Sequence, residues 1–370
     1  MANSIITIKE IARQALPRLM ENLVFPNLVH KDFSEEFVSG KGDKIQVRKP
    51  VVLSAENFDE ENGTTTQNID ETSVEVCLDR LATVDVEFSA LESATSVDDL
   101  NRLFIEPAAA ALAQKINADG LELYKDIANF CGKAGTTPSS LTDISDVRKV
   151  LNAGNVPVSP RYAVWDTEAD AKFTTVDAIV NAEKSGSTDA LREGSIGKIF
   201  GLDNYMSQAV KTHKSGITAS SAVKVSGEVS EGATKLTVTG TTLTGNFVKG
   251  DLLKIDGICY TVTKDTESAS SNSITDIEVY PALNKIADKT PVEVVASHTA
   301  NLAFNPMAFA FVTRPLSTPS GVESYVTSYN GITLRVVKGY DMKYKKETLS
   351  MDVLYGYKTM YPELAVRVLG

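Results

Sequence analysis

Apolar residues recur with helical spacing near the start of the chain. Between residues 7 and 24 they lie three or four positions apart, which places them on one face of a helix. The members of this N-terminal stripe are Ile8, Ile11, Ala12, Ala15, Leu16, Leu19 and Leu23. Thr7 and Glu10 have the spacing of a capping box, whereas Pro17 removes one helical hydrogen bond. The pattern predicts a helix over residues 7–24 that breaks or bends at Pro17.

Polar and apolar positions then alternate, as they do in β-strands. Residues 43–53 and 73–91 show this alternation, and an acidic segment that contains Gly and Thr separates them. The two segments predict a long two-stranded hairpin. Because an isolated two-stranded ribbon is at best marginally stable in water, the hairpin must rest on another domain or on a neighbouring subunit.

Helical periodicity returns after Pro107 and continues to Gly132, a natural helix end. At 1.5 Å per residue this helix would be about 39 Å long, which exceeds the width of a small domain. Such a length suits a spine better than an element of a packed bundle. Ser96 and Asp99 have the spacing of a cap for a shorter segment that precedes it.

The second half of the chain contains two further patterns. Residues 142–210 alternate between helical and strand periodicity, which predicts an α/β region. Residues 211–297 are rich in Thr, Ser, Gly and Val and lack long helical periodicity, which predicts a small inserted β-barrel or sandwich. Within this insertion, Asp256 and Gly257 match the type I′ turn of a β-hairpin.

The composition is that of a globular protein. The chain has 370 residues, of which 42% are hydrophobic and 23% charged, and this length suggests two or three domains. We expect no membrane contact, because no window reaches the roughly 18 apolar residues of a membrane span. The N-terminus lacks the pattern of a secretory signal, and the three widely spaced cysteines form no CxxC pair. Both features predict reduced thiols in a cytoplasm.

The charge of the chain disfavours a role in reading nucleic acid. The net charge is −11, whereas proteins that grip DNA neutralise its phosphates with Lys and Arg. The acidic residues are also clustered, because residues 50–79 contain eight Asp or Glu and no Lys or Arg. A block of this kind is typical of a solvated loop.

The sequence contains no recognisable catalytic or metal-binding motif. His30, His213 and His298 are scattered and form no HExxH pattern, so we expect surface or packing roles for them. The Walker A, GxSxG and dinucleotide-binding patterns are missing. Residues 40–44 have glycines and a lysine, but in the wrong spacing for a phosphate loop. We therefore predict a protein without enzymatic activity, metal or cofactor.

Six segments along the chain resemble one family in the same order. They correspond in turn to an N-terminal arm, the entry to an extended loop, a spine helix, a strand pair, an inserted strand and the return from the insertion. The segments are residues 21–37, 42–50, 106–125, 192–210, 248–257 and 301–316. The chain resembles the major capsid proteins of tailed bacteriophages, specifically the coat family of the short-tailed Salmonella phage with an inserted domain. The insertion looks shorter than in that family's best-known member, so its contacts are not carried over.

The resemblance implies a fold class, α+β, and within it the Hong-Kong-97-type capsid fold. The implied domains are an N-terminal arm (1–35), an extended loop (36–82), a peripheral domain with the spine helix (83–135 and 340–370), an apical domain (136–210 and 298–339) and an inserted β-barrel (211–297). The apolar run between Pro306 and Pro315 is typical of a buried strand. In this fold it would lead back from the insertion, with Phe309 and Phe311 packed into the apical domain and Arg314 at its edge.

The resemblance also implies a function and partners. We expect a major capsid protein that assembles with itself into hexamers and pentamers of an icosahedral shell around double-stranded DNA. A scaffolded procapsid would form first in the host cytoplasm and would expand into the capsid of the virion. Scaffolding and portal proteins are implied partners, and a decoration protein is a further candidate. The negative charge fits a wall that confines DNA without binding it tightly.

Two sets of residues are candidates for contacts in such a shell. The acidic residues of the 50–79 segment are predicted to meet basic side chains on an adjacent subunit. The candidates for this contact are Glu56, Asp59, Glu60 and Glu61 with Lys343, Lys345 and Lys346. The candidates for a scaffolding-protein contact are Ile8, Ile11, Leu16, Leu19 and Leu23.

Three other interpretations stay open at this point. An encapsulin-like compartment would have the same fold but would enclose protein cargo instead of DNA. A β-rich adhesin or tail protein is disfavoured by the missing export signal and by the helix after Pro107. An enzyme on an α/β scaffold is disfavoured because the sequence lacks a nucleophile motif or a metal cluster.

Overall fold

The structure is a computed structural model in which helices and strands combine into an α+β fold, as predicted. It describes residues 8–31, 44–48, 73–89, 105–186, 188–217, 222–241, 243–270, 272–342 and 346–370. No helix within these ranges is long and apolar enough to cross a membrane.

The helices of the described ranges come mostly before the insertion. They are α1 (Ile8–Asn22), α2 (Phe25–Leu28), α3 (Glu106–Leu121), α4 (Leu141–Ala153), α5 (Thr167–Phe173), α6 (Asp177–Val180), α7 (Ala182–Ser185) and α8 (Asp189–Glu193). Single 3-10 turns of helix are found at Glu122–Asp126, Pro306–Ala308 and Pro362–Leu364.

The strands before the insertion are β1 (Lys44–Arg48), β2 (Ser73–Cys77), β3 (Arg80–Ser89), β4 (Phe130–Gly132), β5 (Tyr162–Trp165), β6 (Lys198–Ile199), β7 (Leu202–Met206) and β8 (Thr212–His213). Those within the insertion are β9 (Val223–Val225), β10 (Lys235–Gly240), β11 (Leu252–Ile255), β12 (Ile258–Val262), β13 (Ser273–Tyr280) and β14 (Pro291–Val294). Those after it are β15 (His298–Phe304), β16 (Phe309–Arg314), β17 (Glu323–Tyr329), β18 (Ile332–Asp341), β19 (Lys346–Thr359) and β20 (Ala365–Leu369).

The N-terminal helix α1 continues through Pro17, so the predicted break does not occur. Ala12, Ala15 and Leu19 are buried where α1 packs on α3 and on the strands β17 and β18. Burial of this face stabilises the helix and offsets the hydrogen bond that proline cannot donate. Thr7 of the predicted capping box lies outside the described residues.

The spine helix α3 is shorter than predicted. It has 16 residues, which corresponds to about 24 Å, and a 3-10 turn and the strand β4 follow it. The prediction of one helix up to Gly132 is therefore wrong beyond Leu121. Glycine is a poor helix former, and a Cβ atom at Gly120 would collide with the rings of Phe25 and Tyr357. Close packing of these rings requires glycine at the point where the helix ends.

The predicted long hairpin is divided between two structural units. Strands β1 and β2 pair antiparallel, with Lys44 opposite Cys77 and Arg48 opposite Ser73. After Leu78 and Asp79 the chain turns away, and β3 pairs with β19 along ten residues from Arg80 to Ser89. The prediction is therefore right for residues 44–48 and 73–77 and wrong for 80–89. Period-two alternation marks a strand but does not identify its partner.

The strand β19 pairs with three of the other four strands in an antiparallel sheet of five described strands. One edge of β19 pairs first with β18 and then with β16, while the other edge pairs with β3. The strand β17 continues the sheet beyond β18. Helices α1 and α3 lie against this sheet.

A second sheet confirms the α/β pattern predicted for residues 142–210. Its described strands follow the order β4-β20-β15-β5-β7-β6, and β8 pairs with β15. The helical part of this pattern corresponds to α4 and α5, which cover one face of the sheet. A capping box between Ser140 and Asp143 begins α4, and Trp165 and Phe173 are buried in the core beneath it.

The insertion folds as a closed barrel of the six strands β10-β13-β12-β11-β14-β9, which confirms the predicted β-barrel. Its core is made of apolar side chains, including Val238, Phe247 and Tyr260. At the turn between β11 and β12, Asp256 and Gly257 have φ angles of 49° and 82°. A type I′ turn requires positive φ at both positions, so this prediction is confirmed as well.

An aromatic cluster joins the two sheets to the N-terminal helices. The ring of Phe25 lies 5.4 Å from that of Phe304 and 5.5 Å from that of Phe309, and the ring of Phe311 lies 4.8 Å from that of Tyr357. The apolar run between Pro306 and Pro315 was predicted to be a buried strand, and it forms a 3-10 turn (Pro306–Ala308) followed by the buried strand β16. Phe309 and Phe311 pack in one cluster with Ile332 and Leu334 as well as with residues of α3, and their assignment to an apical domain stays a prediction.

Candidate assembly surfaces

The ribbon of β1 and β2 lies on the five-stranded sheet of its own chain. Its apolar side chains pack beside that sheet in one cluster, which comprises Ile45, Val47, Val74 and Val76 with Ala310, Val312 and Met360. Gly356 on β19 permits the approach, because a Cβ atom there would collide with the carbonyl oxygen of Cys77. The hairpin was predicted to rest either on another domain or on a neighbouring subunit. The described part of the ribbon rests on another part of its own chain.

One end of the five-stranded sheet presents both apolar and charged side chains to solvent. Tyr340 and Met342, at the end of β18, are 50% and 78% exposed. Lys346 Nζ lies 2.5 Å from Glu87 Oε1, and Lys338 Nζ lies 2.9 Å from Glu347 Oε2. We call this group the distal end; its members are Glu87, Lys338, Tyr340, Met342, Lys346 and Glu347. Exposed apolar side chains among charged ones are typical of interaction surfaces.

Lys346 was predicted to contact a neighbouring subunit, and the structure gives it an acidic partner within the chain. The hydrogen bond from Lys346 to Glu87 and the charge of that carboxylate raise the pKa of Lys346. Exposed pairs of this kind contribute little to stability, so Lys346 remains free to exchange Glu87 for an acid of another subunit. Outside the described residues lie Glu56, Asp59, Glu60, Glu61, Lys343 and Lys345. The contact between subunits stays a prediction.

The N-terminal stripe, in contrast, is enclosed by its own subunit. Ile8, Leu16, Leu19 and Leu23 are buried and Ile11 is half-buried, all in the cluster around α3. A scaffolding protein would reach these side chains only after α1 had left its place. The burial gives no support to the scaffold contact, which stays a prediction.

A buried carboxylate fastens α3 to the five-stranded sheet. Asp119 on α3 accepts hydrogen bonds from Tyr355 at 2.6 Å and from Lys115 at 2.9 Å, and Arg80 on β3 lies 3.5 Å away. Burial raises the pKa of the Asp119 carboxyl, but these donors outweigh burial and hold its pKa below the ordinary value. The charged form of Asp119 therefore stabilises the spine helix on the strands that end at the distal end.

The structure shows that two of the three histidines are neighbours. His213 and His298 lie opposite each other on β8 and β15, and both side chains are buried. Their burial confirms the packing roles predicted for them, although their spacing in the sequence did not indicate that they are neighbours. Within the described ranges no three His, Cys, Asp or Glu side chains are grouped to hold a metal ion. Cys77, Cys131 and Cys259 are half-buried free thiols.

Sequence reasoning missed the apolar members of the distal end. Tyr340 and Met342 stand in a polar stretch next to the lysines at 343, 345 and 346. The available signal was two large apolar residues directly before a run of lysines. Their exposure becomes informative only once the pairing of β18 with β19 is known, because the same residues could have faced a core.

Comparisons with known proteins agree with this architecture. No protein-family model matches the chain. The major capsid protein of Acyrthosiphon pisum secondary endosymbiont phage 1 is 21% identical over 417 aligned positions, which cover 97% of each protein. A solved chain of Mycobacterium phage Che8 is 15% identical with a TM-score of 0.55, over 94% of this chain and 90% of that one. The capsid structure of the cyanophage P-SCSP1u is 13% identical with a TM-score of 0.49, over 89% and 84%.

These relatives do not carry the name of the short-tailed Salmonella phage, so the narrower resemblance stays a prediction. The domain boundaries drawn from it are likewise expectations. What the comparisons and the sheet topology establish together is the architecture. The chain has the Hong-Kong-97-type fold of phage capsid subunits, with a closed six-stranded barrel inserted between β8 and β15.

Proposed function

We propose that this chain is the major capsid protein of a tailed bacteriophage and that it assembles with copies of itself into an icosahedral shell. The observation that carries the proposal is the alignment with a phage protein of that name over 97% of both chains. The shared fold supports it, because the similarity to the Che8 chain extends over 94% of this chain. A structural role requires no catalytic site, in accord with the prediction from sequence.

The finer features of the proposal follow from the resemblance. The shell would consist of hexamers and pentamers, would form as a scaffolded procapsid, and would expand when double-stranded DNA is packaged through a portal. Assembly would take place in the host cytoplasm, and the product would be the head of the virion. The net charge of −11 supports confinement of DNA without tight binding.

Negative-stain electron microscopy and sedimentation velocity of the purified chain test the proposal. Both are measured with and without the product of the neighbouring scaffold gene. Closed shells or capsomers are the expected result, and a stable monomer under both conditions would contradict assembly. The contents of particles isolated from infected cells distinguish a phage head, which holds DNA, from an encapsulin-like compartment, which holds protein.

The predicted contact of the acidic segment has its own experiment. The double variant Lys345→Glu, Lys346→Glu should reduce assembly at low salt, because it places like charges opposite Glu56, Asp59, Glu60 and Glu61. The matched control is Lys285→Glu, which reverses an exposed lysine of the barrel whose Nζ lies 3.0 Å from Glu228. Assembly of the double variant at the wild-type level over the whole range of salt concentration would contradict the contact.

A further inference from the structure

The inserted barrel is connected through two strands, called the neck, to the rest of the chain, which we call the body. The neck consists of β8 and β15, which pair with His213 opposite His298 and Thr212 opposite Thr299. Every covalent path from the body into the barrel passes through these two strands. Whatever else positions the barrel must be a non-covalent contact, and several of these contacts surround the two histidines.

The first contact is a chain of hydrogen bonds through His213. The hydroxyl of Tyr124, in the 3-10 turn after α3, lies 3.1 Å from His213 Nδ1. His213 Nε2 lies 2.9 Å from Asp251 Oδ1, and Val248 N donates to the other oxygen of Asp251 at 2.8 Å. With a neutral ring, Nε2 donates to Asp251 and Nδ1 accepts from Tyr124, which satisfies every group. This series of hydrogen bonds links the body, the neck and the barrel.

The second contact is a buried arginine. Arg367 on β20 has no exposed surface, and its Nη1 donates to the carbonyl of Gly250 at 2.8 Å. Its Nη2 donates to the carbonyl of Tyr124 at 2.6 Å, and its guanidinium lies 4.8 Å from the centre of the Tyr124 ring. The Nε atom is buried without a hydrogen-bond partner. Arg367 thus joins β20 to the 3-10 turn and to the barrel, and its own charge is already poorly compensated.

The orientation of His298 determines which protonation state fits beside this arginine. Nδ1 of His298 lies 2.8 Å from the carbonyl oxygen of Ala296, an acceptor, so Nδ1 carries the proton. Nε2 then has a free lone pair and faces Arg367 Nη1 at 3.5 Å, the outer limit of a hydrogen bond. A second proton on Nε2 would point one donor at another and would place two cations side by side in a buried site. We call the contacts of His213, His298 and Arg367 with the 3-10 turn and the barrel the junction. Only a neutral His298 ring fits the junction in its closed form.

We propose that His298 and Arg367 form a proton-sensitive latch that seats the inserted barrel on the body of the subunit, closed while His298 is neutral and opened when it takes up a proton. Opening would break the contacts of the 3-10 turn with residues 248–251 while the six barrel strands keep their own closure. The neck would then remain, together with the apolar cluster of Leu252, Val295 and Leu369 and the hydrogen bond from Thr261 to the carbonyl of Lys125 at 2.9 Å. This inference concerns the single subunit and does not depend on capsid assembly.

The groups around His298 set the direction of the effect. They are His213 on β8, Arg367 on β20, Asp251 in the barrel loop, and Tyr124 and Asp126 in the 3-10 turn. Burial, the largest effect, opposes a proton on His298, and so do the charges of Arg367 and His213. The hydrogen bond to the Ala296 carbonyl and the charge of Asp251 favour a proton, and the net effect lowers the pKa of His298 to about 4. In an opened junction the ring returns to water, where its ordinary pKa is 6.5. Closure is therefore fully favoured above pH 6.5 and weakens as the pH falls toward 4.

Hydrogen exchange of the full-length chain, followed by mass spectrometry, tests the latch. Exchange at pH 8 and pH 5 is compared after correction for the intrinsic exchange rates. A shift of the His298 pKa from 6.5 to about 4 predicts about 30-fold more opening at pH 5 than at pH 8. This increase is expected in peptides from residues 122–127 and 248–252. Peptides from β13, inside the barrel, should keep their protection.

Two variants separate the latch from other effects of acid. His298→Gln retains an oxygen that can accept from Arg367 but cannot titrate, so the difference between the two pH values should disappear. Lys249→Met is the control, because it removes the exposed ion pair of Lys249 with Asp126, 3.0 Å apart, without contacting His298. That variant should keep the full pH dependence.

Three outcomes would overturn the proposal. One is a wild-type junction that stays equally protected at both pH values, a result that needs no variant. Another is a His298→Gln chain with the wild-type increase in exchange. The third is a simultaneous loss of protection from hydrogen exchange in the junction and in β13. In that case the barrel itself would unfold instead of separating intact from the body.

Discussion

The inserted barrel and the five-stranded sheet differ in whether their strands are paired on both sides. Each barrel strand has two neighbours, and the apolar core is enclosed by the strands themselves. The five-stranded sheet does not close on itself within the described residues, and its distal end exposes Tyr340 and Met342 next to paired charges. Closure removes edges that would otherwise pair with other chains, whereas an open sheet keeps such surfaces available. The barrel is complete in one chain, and we propose that neighbouring chains cover the distal end and so complete the sheet.

Two phenylalanine variants give the largest expected effects and test whether the barrel and the body are separate units. Phe309→Ala in the body and Phe247→Ala in the barrel each remove a fully buried ring, which costs about 3–5 kcal/mol of stability. Trp165, the one tryptophan of the chain, lies in the body, so its fluorescence reports on body unfolding. In urea, Phe309→Ala should shift the Trp165 transition strongly and Phe247→Ala only weakly. Equal shifts would mean a single cooperative unit.

The packing of the ribbon of β1 and β2 against the five-stranded sheet is tested by Gly356→Ala. The added methyl group would collide with the backbone at Cys77, which must move, and overpacking of this kind costs about 1–3 kcal/mol. We expect a lower urea midpoint and faster hydrogen exchange in β1 and β2. The control is Gly339→Ala on the adjacent strand β18, where the nearest atom is the Thr348 hydroxyl at 3.0 Å, a side chain that can adjust. Similar losses in both variants would contradict a specific role of Gly356.

The buried carboxylate under the sheet is tested by Tyr355→Phe, which removes the hydroxyl that donates to Asp119. Loss of a hydrogen bond to a buried charged acceptor costs about 1–3 kcal/mol near pH 7. Because the folded state lowers the pKa of Asp119 below 3.8, its stabilisation is present above that value and is lost as the pH falls through the folded pKa. The gap in urea midpoint between wild type and variant should narrow toward pH 3. Tyr329→Phe, at a residue that is 69% exposed, is the control with no expected change.

The smallest effect on the subunit itself is expected at the distal end. Met342→Glu changes a side chain that is 78% exposed, so its effect on the stability of the single chain should stay within about 0.5 kcal/mol. Assembly measured by sedimentation velocity should nevertheless fall, because the variant buries a carboxylate at the proposed contact. Leu191→Glu on α8, where the leucine is 71% exposed, serves as the matched control. If the two variants assemble equally well, the distal end is not an interface.

Local patterns predicted those parts of the fold that depend on neighbours in sequence. The stripe of α1, the helix α4 and the turn at Asp256 and Gly257 follow from spacing and turn chemistry alone. The capping box that begins α4 was not predicted. The end of α3 did not, because it depends on the rings of Phe25 and Tyr357, which meet Gly120 only in the folded chain. The partner of β3 was missed for the same reason, since alternation is equally compatible with β1 and with β19.

The junction residues show this limit most clearly. His213 and His298 are far apart in sequence, and the barrel between them brings the neck strands together. Arg367 reaches the same place from the last strand of the chain. Nothing in the spacing of these residues indicates a common site. Their role became visible only from the pairing of β8 with β15 and from the burial of the charge.

Cryo-electron microscopy of particles formed by the wild-type chain tests the central contrast most directly. We predict a closed shell in which a neighbouring subunit covers Tyr340 and Met342, while the barrel keeps its six-stranded closure within each chain. A shell in which the distal end faces solvent would contradict the proposed completion of the sheet by neighbours. A barrel completed by strands from a second chain would contradict the other half of the contrast.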